Sequence, residues 1–337
     1  MSSILITGAS GFIGSFLVES GLERGFEVWA GVRPTSSRRY LQDERINYFD
    51  LNLGDDEALR KALLEHKAQH GAFDYVIHAA GATKCRTKAD FYRVNTEGTE
   101  RLARLLVETA TLSPDGRLVF LSSLSVFGPV RDKDMEPICA TDTPEPNTAY
   151  GLSKRAAEEA LAAIEGLHYV VLRPTGVYGP RERDYFLMAK SVMQRIDVSV
   201  GFKPQVITFI YVRDLVEAAF LALTKGPDRM AYFLTDGYDY TSQDFGRLIQ
   251  QQLGVSHVMR PTIPLFLLHG VCALGSLASH FLKNPPTLNL DKYHILAQRN
   301  WQANIDHARE WLDYEPAWPL ERGVKETIEW YLANGWL

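Results

Sequence analysis

Six short apolar runs recur along the first half of the chain, with helix-period segments between them. The runs are 3–7 (SILIT), 26–32 (FEVWAGV), 46–51 (INYFDL), 74–80 (DYVIHAA), 117–123 (RLVFLSS) and 168–174 (HYVVLRP). Helical patterns cover Phe12 to Arg24, Asp55 to Gln69, Phe91 to Thr109 and Ala149 to Ile164. A strand that is apolar on both sides needs cover on both sides. The alternation therefore predicts a parallel sheet between two helical layers, wound twice by right-handed crossovers.

The first strand-to-helix turn narrows this further. ITGASGFIGS, residues 6–15, spaces Gly8, Gly11 and Gly14 three apart. Glycines here allow a tight turn, close approach of backbone N–H groups to a pyrophosphate, and close helix–strand packing. The helix N-terminus adds a partial positive charge. Gly8, Ser10, Gly11, Phe12, Ile13 and Gly14 are thus expected to hold the phosphates of a dinucleotide in a Rossmann-type fold.

After Pro180 the alternation weakens. Helical segments near 184–195, 213–224 and 242–253 and a short run at 231–235 are followed by helix-rich, aromatic sequence. Residues 1–180 are expected to form the dinucleotide-binding domain, with segments near 205–235 returning to it. Residues 181–337 are expected to form a smaller, mostly helical substrate-binding region.

Dinucleotide choice is read at the end of the second strand, where an acid would bind the ribose hydroxyls of NAD. WAGVRPTSSRR, residues 29–39, has no acid. Arg33, Ser36 and Arg38 suit a 2′-phosphate, which favours NADP(H), although a solvated basic loop has the same composition. Asp50 and Leu51 close the third strand and are placed near the adenine. Asp50 fits equally as a turn or helix-cap residue.

Tyr150 and Lys154 lie four apart on a predicted helix and so share a face. A phenol ordinarily titrates near ~10, and a neighbouring ammonium favours the phenolate. Such a pair can pass a proton to or from a carbinol or carbonyl oxygen, but alone it equally describes a solvated helix face. Ser122, Ser123 and Ser125 sit at the end of the fifth strand, on the sheet edge where ligands bind, and a hydroxyl there can bond a substrate oxygen.

The motifs TGASGFIG, VIHAAG, VNTEGT, LSSLSVFG, YGLSK and RPTGVYGP stand in this order over about the first 180 residues. Together they resemble the extended short-chain dehydrogenase/reductase family, whose own glycine loop is TGxxGxxG. The resemblance implies an NAD(P)-dependent enzyme with Tyr150 as general acid/base, Lys154 on the nicotinamide ribose and Ser123 as the third catalytic residue. It places Ala79, Ala80 and Gly81 along the cofactor, Asn95 as a support, and Pro174 and Val177 near the carboxamide. Thr83, Ser123, Ser125, Tyr178 and Arg181 are expected on the substrate side. Asp214, in TFIYVRDLVEA, is expected to cap a helix. Dehydration is disfavoured because no acid stands beside Ser123.

The segment 288–331 resembles the tails of 3β-hydroxysteroid dehydrogenase-like and dihydroflavonol reductase-like members. Upstream, residues 263–282 contain no Asp, Glu, Lys or Arg. They fit a buried helix, a membrane-facing helix or, less well because of their histidines and glycines, a span. A hydrophobic ketone or secondary alcohol follows as the expected substrate, steroid-like or a long-chain 3-keto lipid such as a 3-keto-sphingoid base or ceramide. The alternative is a nucleotide-sugar 4-epimerase with tightly bound NAD. A redox-sensing binding protein would be expected to lack Tyr150 or Lys154.

The net charge of −5 and the absence of a long basic run argue against a nucleic-acid partner. Three scattered cysteines argue against a disulfide framework or structural zinc, and no metal is expected. No signal peptide is read at the N-terminus, so the expectation is a cytoplasmic protein with peripheral membrane contact and homodimer formation as further expectations.

Overall fold

The computed structural model describes residues 1–278 and 288–337 of the 337-residue chain. In chain order the first part comprises β1 (Ser3–Thr7), α1 (Phe12–Glu23), β2 (Glu27–Val32), β3 (Asn47–Asp50), α2 (Asp56–His70), β4 (Phe73–His78), α3 (Lys88–Phe91), α4 (Gly98–Glu108), β5 (Leu112–Leu121), α5 (Ala149–Ala162) and β6 (Tyr169–Pro174). There follow β7 (Gly176–Tyr178), α6 (Asp184–Met193), β8 (Ser199–Val200), β9 (Val206–Ile207), β10 (Phe209–Tyr211), α7 (Val212–Thr224), β11 (Ala231–Leu234), β12 (Tyr240–Thr241) and α8 (Asp244–Leu253). The chain closes with β13 (Thr262–Ile263), α9 (Leu265–Ala278), α10 (Leu290–Ala297), α11 (Asp306–Leu312) and α12 (Leu320–Ala333).

Seven parallel strands form one sheet in the order β11-β6-β5-β4-β1-β2-β3. Strand order reverses between β1 and β4, and the crevice outside their carboxyl ends is where such sheets bind ligands. Alternate side chains feed two cores. Ile4 and Ile6 pack with α1 and α7 through Leu17, Val18, Leu215 and Ala219. Leu5 packs on the other face with Leu63, Leu102, Leu106 and Leu161 of α2, α4 and α5. Each such leucine, isoleucine or valine side chain, fully buried, contributes about 1.5–3 kcal/mol.

Local chemistry explains where the helices start. Asp55 accepts the N–H of Ala58 at 3.0 Å to begin α2, and Thr148 accepts the N–H of Gly151 at 3.0 Å to begin α5. α1 begins at Gly11 with no side-chain cap.

Three elements depart from the sequence expectation. β5 begins at Leu112 rather than 117, because Leu112 pairs with Phe73 and Arg117 with Tyr75, and the residues between bulge out. It also ends at Leu121, leaving Ser122 and Ser123 in the turn beyond it. The single helix expected over Phe91 to Thr109 is broken: a π-helical turn, Tyr92–Glu97, separates α3 from α4 and buries Asn95. Asp214 does not cap α7. It accepts the N–H groups of Ala317 and Trp318, both at 3.0 Å, and ties the C-terminal segment to the fold.

Beyond the sheet, β10 pairs with β7, β12 with β9 and β13 with β8. The uncharged stretch 263–282 becomes β13's last residue and α9, and its final four residues lie outside the described ones. Only Leu268 and Cys272 of α9 are buried. Among the described residues no helix is long and apolar enough to cross a membrane.

Candidate active site

The glycine loop is shaped by contacts that leave no room for side chains. Gly8 adopts φ +66°, and a Cβ there would stand 2.8 Å from the Ala79 carbonyl and the Ala80 nitrogen. A Cβ on Gly14 would stand 2.0 Å from the Gly8 carbonyl oxygen. The Gly11 N–H bonds that same oxygen at 2.9 Å, and the Ser15 N–H bonds the Gly11 carbonyl at 3.0 Å. With no capping side chain, the first-turn N–H groups of α1 are left as donors for an anion. The cradle fits a dinucleotide pyrophosphate.

At the far end of this crevice, Arg33 follows β2 and is exposed. Its N–H bonds the Ser36 hydroxyl at 3.1 Å, and the Ser36 N–H returns to the Arg33 carbonyl at 2.9 Å. The Arg38 guanidinium lies 4.0 Å over the Tyr48 ring. Asp50 is exposed at the end of β3, opposite Val32, while Leu51 is buried and bonds the Val32 carbonyl at 3.0 Å. Arg33, Ser36, Arg38 and Asp50 thus surround the carboxyl ends of β2 and β3.

The other half of the crevice brings Ser123, Tyr150 and Lys154 together. Ser123 caps the short 3-10 turn Leu124–Val126, its Oγ accepting the Ser125 N–H at 3.1 Å. Burial pushes the Tyr150 phenol above its ordinary value, and the neighbouring Ser123 hydroxyl acts the other way. Burial pulls the Lys154 ammonium down to about 7, and the Glu158 carboxylate one turn further along α5 acts against it. Lys154 Nζ stands 4.2 Å from the centre of the Phe120 ring, and 3.6 Å from where a Gly81 Cβ would be. Gly81 thus borders the Lys154 amine, and a Cβ on it would press on Asn95 Oδ1 at 3.2 Å.

Several supporting residues carried weak sequence signals. Asn95 Oδ1 accepts the Ala82 N–H at 2.7 Å, while its Nδ2 donates to the Ala82 carbonyl and to Ser153 Oγ, both at 3.0 Å. Ser153 in turn donates to the Tyr150 carbonyl at 2.7 Å. One buried amide thus fixes the loop after β4 against the helix that bears Tyr150. His78 bridges Thr7 at 2.7 Å and Thr99 at 2.9 Å. Thr7 Oγ1 also accepts the Ala80 N–H at 3.1 Å, which sets the backbone of Ala79 and Ala80 beside Gly8. Pro174 is buried at the end of β6, Val177 is half-buried in β7, and Thr83 is exposed in the loop that Asn95 anchors.

Two expected substrate contacts are corrected. Tyr178 is wholly buried among Tyr185, Phe209, Tyr211 and Phe245, and its hydroxyl donates to the Leu320 carbonyl. It is a core residue with no face for a ligand. Arg181, at φ +76°, donates to Ser15 Oγ at 2.8 Å and to Glu19 at 2.7 Å, and stacks over Phe16 and Tyr40. Its guanidinium braces the loop after β7 against α1.

A sequence model described as "NAD dependent epimerase/dehydratase family" matches residues 4–233. The chain belongs to that family. Among its relatives, a ceramide reductase of Caulobacter vibrioides is 26% identical over 99% of this chain and 96% of its own length. A decarboxylating sterol-4-alpha-carboxylate 3-dehydrogenase of Candida albicans is 25% identical over 98% of this chain and 97% of its own. The crystal structure of a UDP-glucose 4-epimerase from Thermotoga maritima shares the fold, with a TM-score of 0.77 and 23% identity over 98% of this chain and 99% of that one.

As an epimerase/dehydratase-family member of the extended short-chain dehydrogenase/reductase type, the chain is an NAD(P)-dependent enzyme. The bound dinucleotide would supply or accept the hydride. The groups around it bear on the proton. Ser123 and Tyr150 carry hydroxyls and Lys154 an amine, group types that can bond an oxygen or pass a proton.

Proposed function

We propose that this chain is an NADP(H)-dependent oxidoreductase that interconverts a ketone and a secondary alcohol on a hydrophobic substrate. The substrate would be steroid-like or a long-chain 3-keto lipid such as a 3-keto-sphingoid base or ceramide. The observation that carries the reading is the placement of Ser123 beside Tyr150, with Lys154 one turn along the same helix, at the carboxyl edge of the sheet. In reduction, Ser123 bonds the carbonyl oxygen, Tyr150 donates its proton there and Lys154 stabilises the phenolate left behind. Residues 121–128 contain no carboxylate to serve an elimination. The names of the ceramide and sterol relatives support a lipid-like substrate, and exposed Arg33 beside Ser36 supports NADP(H).

In this reading Gly8 to Gly14 hold the pyrophosphate, Ala79 to Gly81 line the cofactor, and Pro174 and Val177 meet its carboxamide. Thr83 and Ser125 flank the substrate, which residues 181–337 mainly enclose. A cytoplasmic homodimer in peripheral contact with lipid belongs to the same proposal. The shared fold of the epimerase structure supports a second reading, a nucleotide-sugar 4-epimerase with retained NAD.

One experiment separates them. Purified protein is denatured and assayed for released dinucleotide, then tested against hydrophobic ketones and nucleotide sugars while NADPH absorbance is followed. Oxidation of NADPH by a hydrophobic ketone, with no NAD released, is the expected result. Released NAD with turnover of a nucleotide sugar overturns it.

A further inference from the structure

The outward side of α9 is apolar without interruption. Phe266, Leu267, Gly270, Val271, Leu274 and Leu277 fall within an arc of roughly 140° at 3.6 residues per turn, and the buried Leu268 and Cys272 lie opposite. Phe266 is 73% exposed, Leu274 68% and Leu277 64%. The helix contains no charged residue. Single exposed apolar side chains are ordinary, but a contiguous set marks a surface that meets something.

Exposed apolar side chains also stand along the strands that lead into the helix. β13 leads through Pro264 into α9 and pairs with β8, and Gly201 backs onto the Leu265 side chain. Phe202, next in the chain, is 78% exposed. Below it Ile196 and Met259 face each other in a parallel bridge, and Met259 is 67% exposed. The charges at this edge are of one sign. Arg195 precedes Ile196 and Lys203 follows Phe202; both are exposed, and neither makes an ion pair among the described residues. The carboxylate of this segment, Asp197, is buried and held by Arg260 at 3.1 Å.

The same arm reaches the catalytic helix. Ser276 of α9 accepts the Leu290 N–H at 2.9 Å, and the His269 and Tyr293 rings meet at 4.9 Å. In α10, Asp291 accepts the N–H of Ala149 at 3.0 Å, the residue before Tyr150. Lys292 and Lys84 both pair with Asp184, which ties α10 to the loop that follows Gly81.

We propose that the uncharged face of α9, edged by Phe202 and Met259 and rimmed by Arg195 and Lys203, lies in the plane of an anionic lipid surface. Fourteen residues give a helix about 21 Å long, too short for a hydrocarbon core of ~30 Å but suited to an interfacial position. The free cations complement acidic headgroups. A two-fold contact between copies would set this patch against itself and leave its cations without carboxylates. Docking by α9 brings the α10 side of the active site to the bilayer, where a hydrophobic substrate resides. That last consequence rests on the lipid-substrate reading, and the docking itself does not.

The test is flotation with vesicles of phosphatidylglycerol and phosphatidylethanolamine, compared with pure phosphatidylcholine. The full chain should float with the anionic vesicles and be released by high salt. Lys203→Glu should weaken binding by about fivefold or more. Leu274→Glu, and independently Phe266→Ser, should abolish it while the melting temperature and NADPH affinity stay unchanged. Absence of flotation by the unaltered chain overturns the proposal, as does equal flotation by both variants. It is also overturned if the unaltered chain is a dimer that Leu274→Glu converts to monomer without vesicle binding. Turnover of a water-soluble ketone, measured without vesicles, reports on the catalytic reading separately.

Discussion

Arg173 holds Glu158 through two hydrogen bonds, Nε to Oε1 at 3.1 Å and Nη2 to Oε2 at 2.6 Å. The two side chains are only 15% and 11% exposed, and the Ser122 hydroxyl donates to the same carboxylate. The guanidinium lies over the Phe127 and Phe233 rings. Glu158 stands one turn beyond Lys154, so this cluster joins β6 and the end of β5 to the catalytic helix just below its ammonium. Glu158→Gln leaves a largely buried guanidinium short of its counter-charge, at a cost on the order of 3 kcal/mol in stability. It also removes the charge that holds the Lys154 value up against burial. The alkaline limb of kcat/KM should therefore move to lower pH, as read from a pH profile. A loss of activity with the limb unmoved would make Glu158 merely structural.

Tyr150→Phe keeps the ring, its edge contact with Phe91 and its place on α5, but removes the proton. Turnover should fall by about 10²–10⁴-fold, the usual worth of a positioned acid or base. The NADPH dissociation constant, measured by fluorescence titration, should change little. Undiminished turnover would remove Tyr150 from the mechanism.

The parts of this arrangement that depend on local pattern were legible in the sequence. Strand-to-helix alternation, the glycine turn and the Tyr150–Lys154 spacing each follow from a period or a steric demand within a few residues. What escaped depends on partners distant in the chain. Asn95 is marked as a support by the VNTEGT motif, but the π-helical turn that rotates it inward toward Ala82 and Ser153 is not, because an apolar-periodic segment carries no mark of that extra residue per turn. Glu158 and Arg173 stand on different elements, and nothing local in the sequence pairs them. Tyr178 was misplaced because an aromatic after a strand reads alike whether it faces a ligand or, as here, four other rings.

The Arg33 side chain is exposed at the end of β2, with the Ser36 hydroxyl on its own N–H, and the proposed NADP(H) reading assigns it the 2′-phosphate. A charged hydrogen bond of this kind is worth about 1.5–3 kcal/mol. Arg33→Ala should therefore raise the dissociation constant for NADPH on the order of tenfold to a hundredfold and that for NADH only slightly. Equal effects on the two would mean that the arginine does not read the phosphate. Arg38→Ala should act in the same direction but less, because its guanidinium is already engaged over Tyr48.

His78 links the glycine-loop strand to the catalytic region, and its protonation state should be visible in stability. Burial, with the Lys154 ammonium adding to it, holds the imidazole down to about 3. In the unfolded chain it titrates near ~6.5. Below that value the unfolded chain takes up a proton that the folded one refuses. The stabilisation is therefore complete above about 6.5 and is lost as pH falls toward 3, by roughly 1.4 kcal/mol per pH unit. His66, held down to about 4 by burial and then by His70, acts in the same sense. Asp236, raised by burial to about 6, acts oppositely, because the folded state then keeps a proton that the unfolded carboxylate releases near ~4. The contribution of His78 is isolated by comparison with His78→Gln, whose side chain cannot take up a proton. Urea-denaturation midpoints between pH 6 and 4 should fall more steeply for the unaltered chain than for the variant. Parallel curves would mean that His78 is protonated equally in the folded and unfolded states.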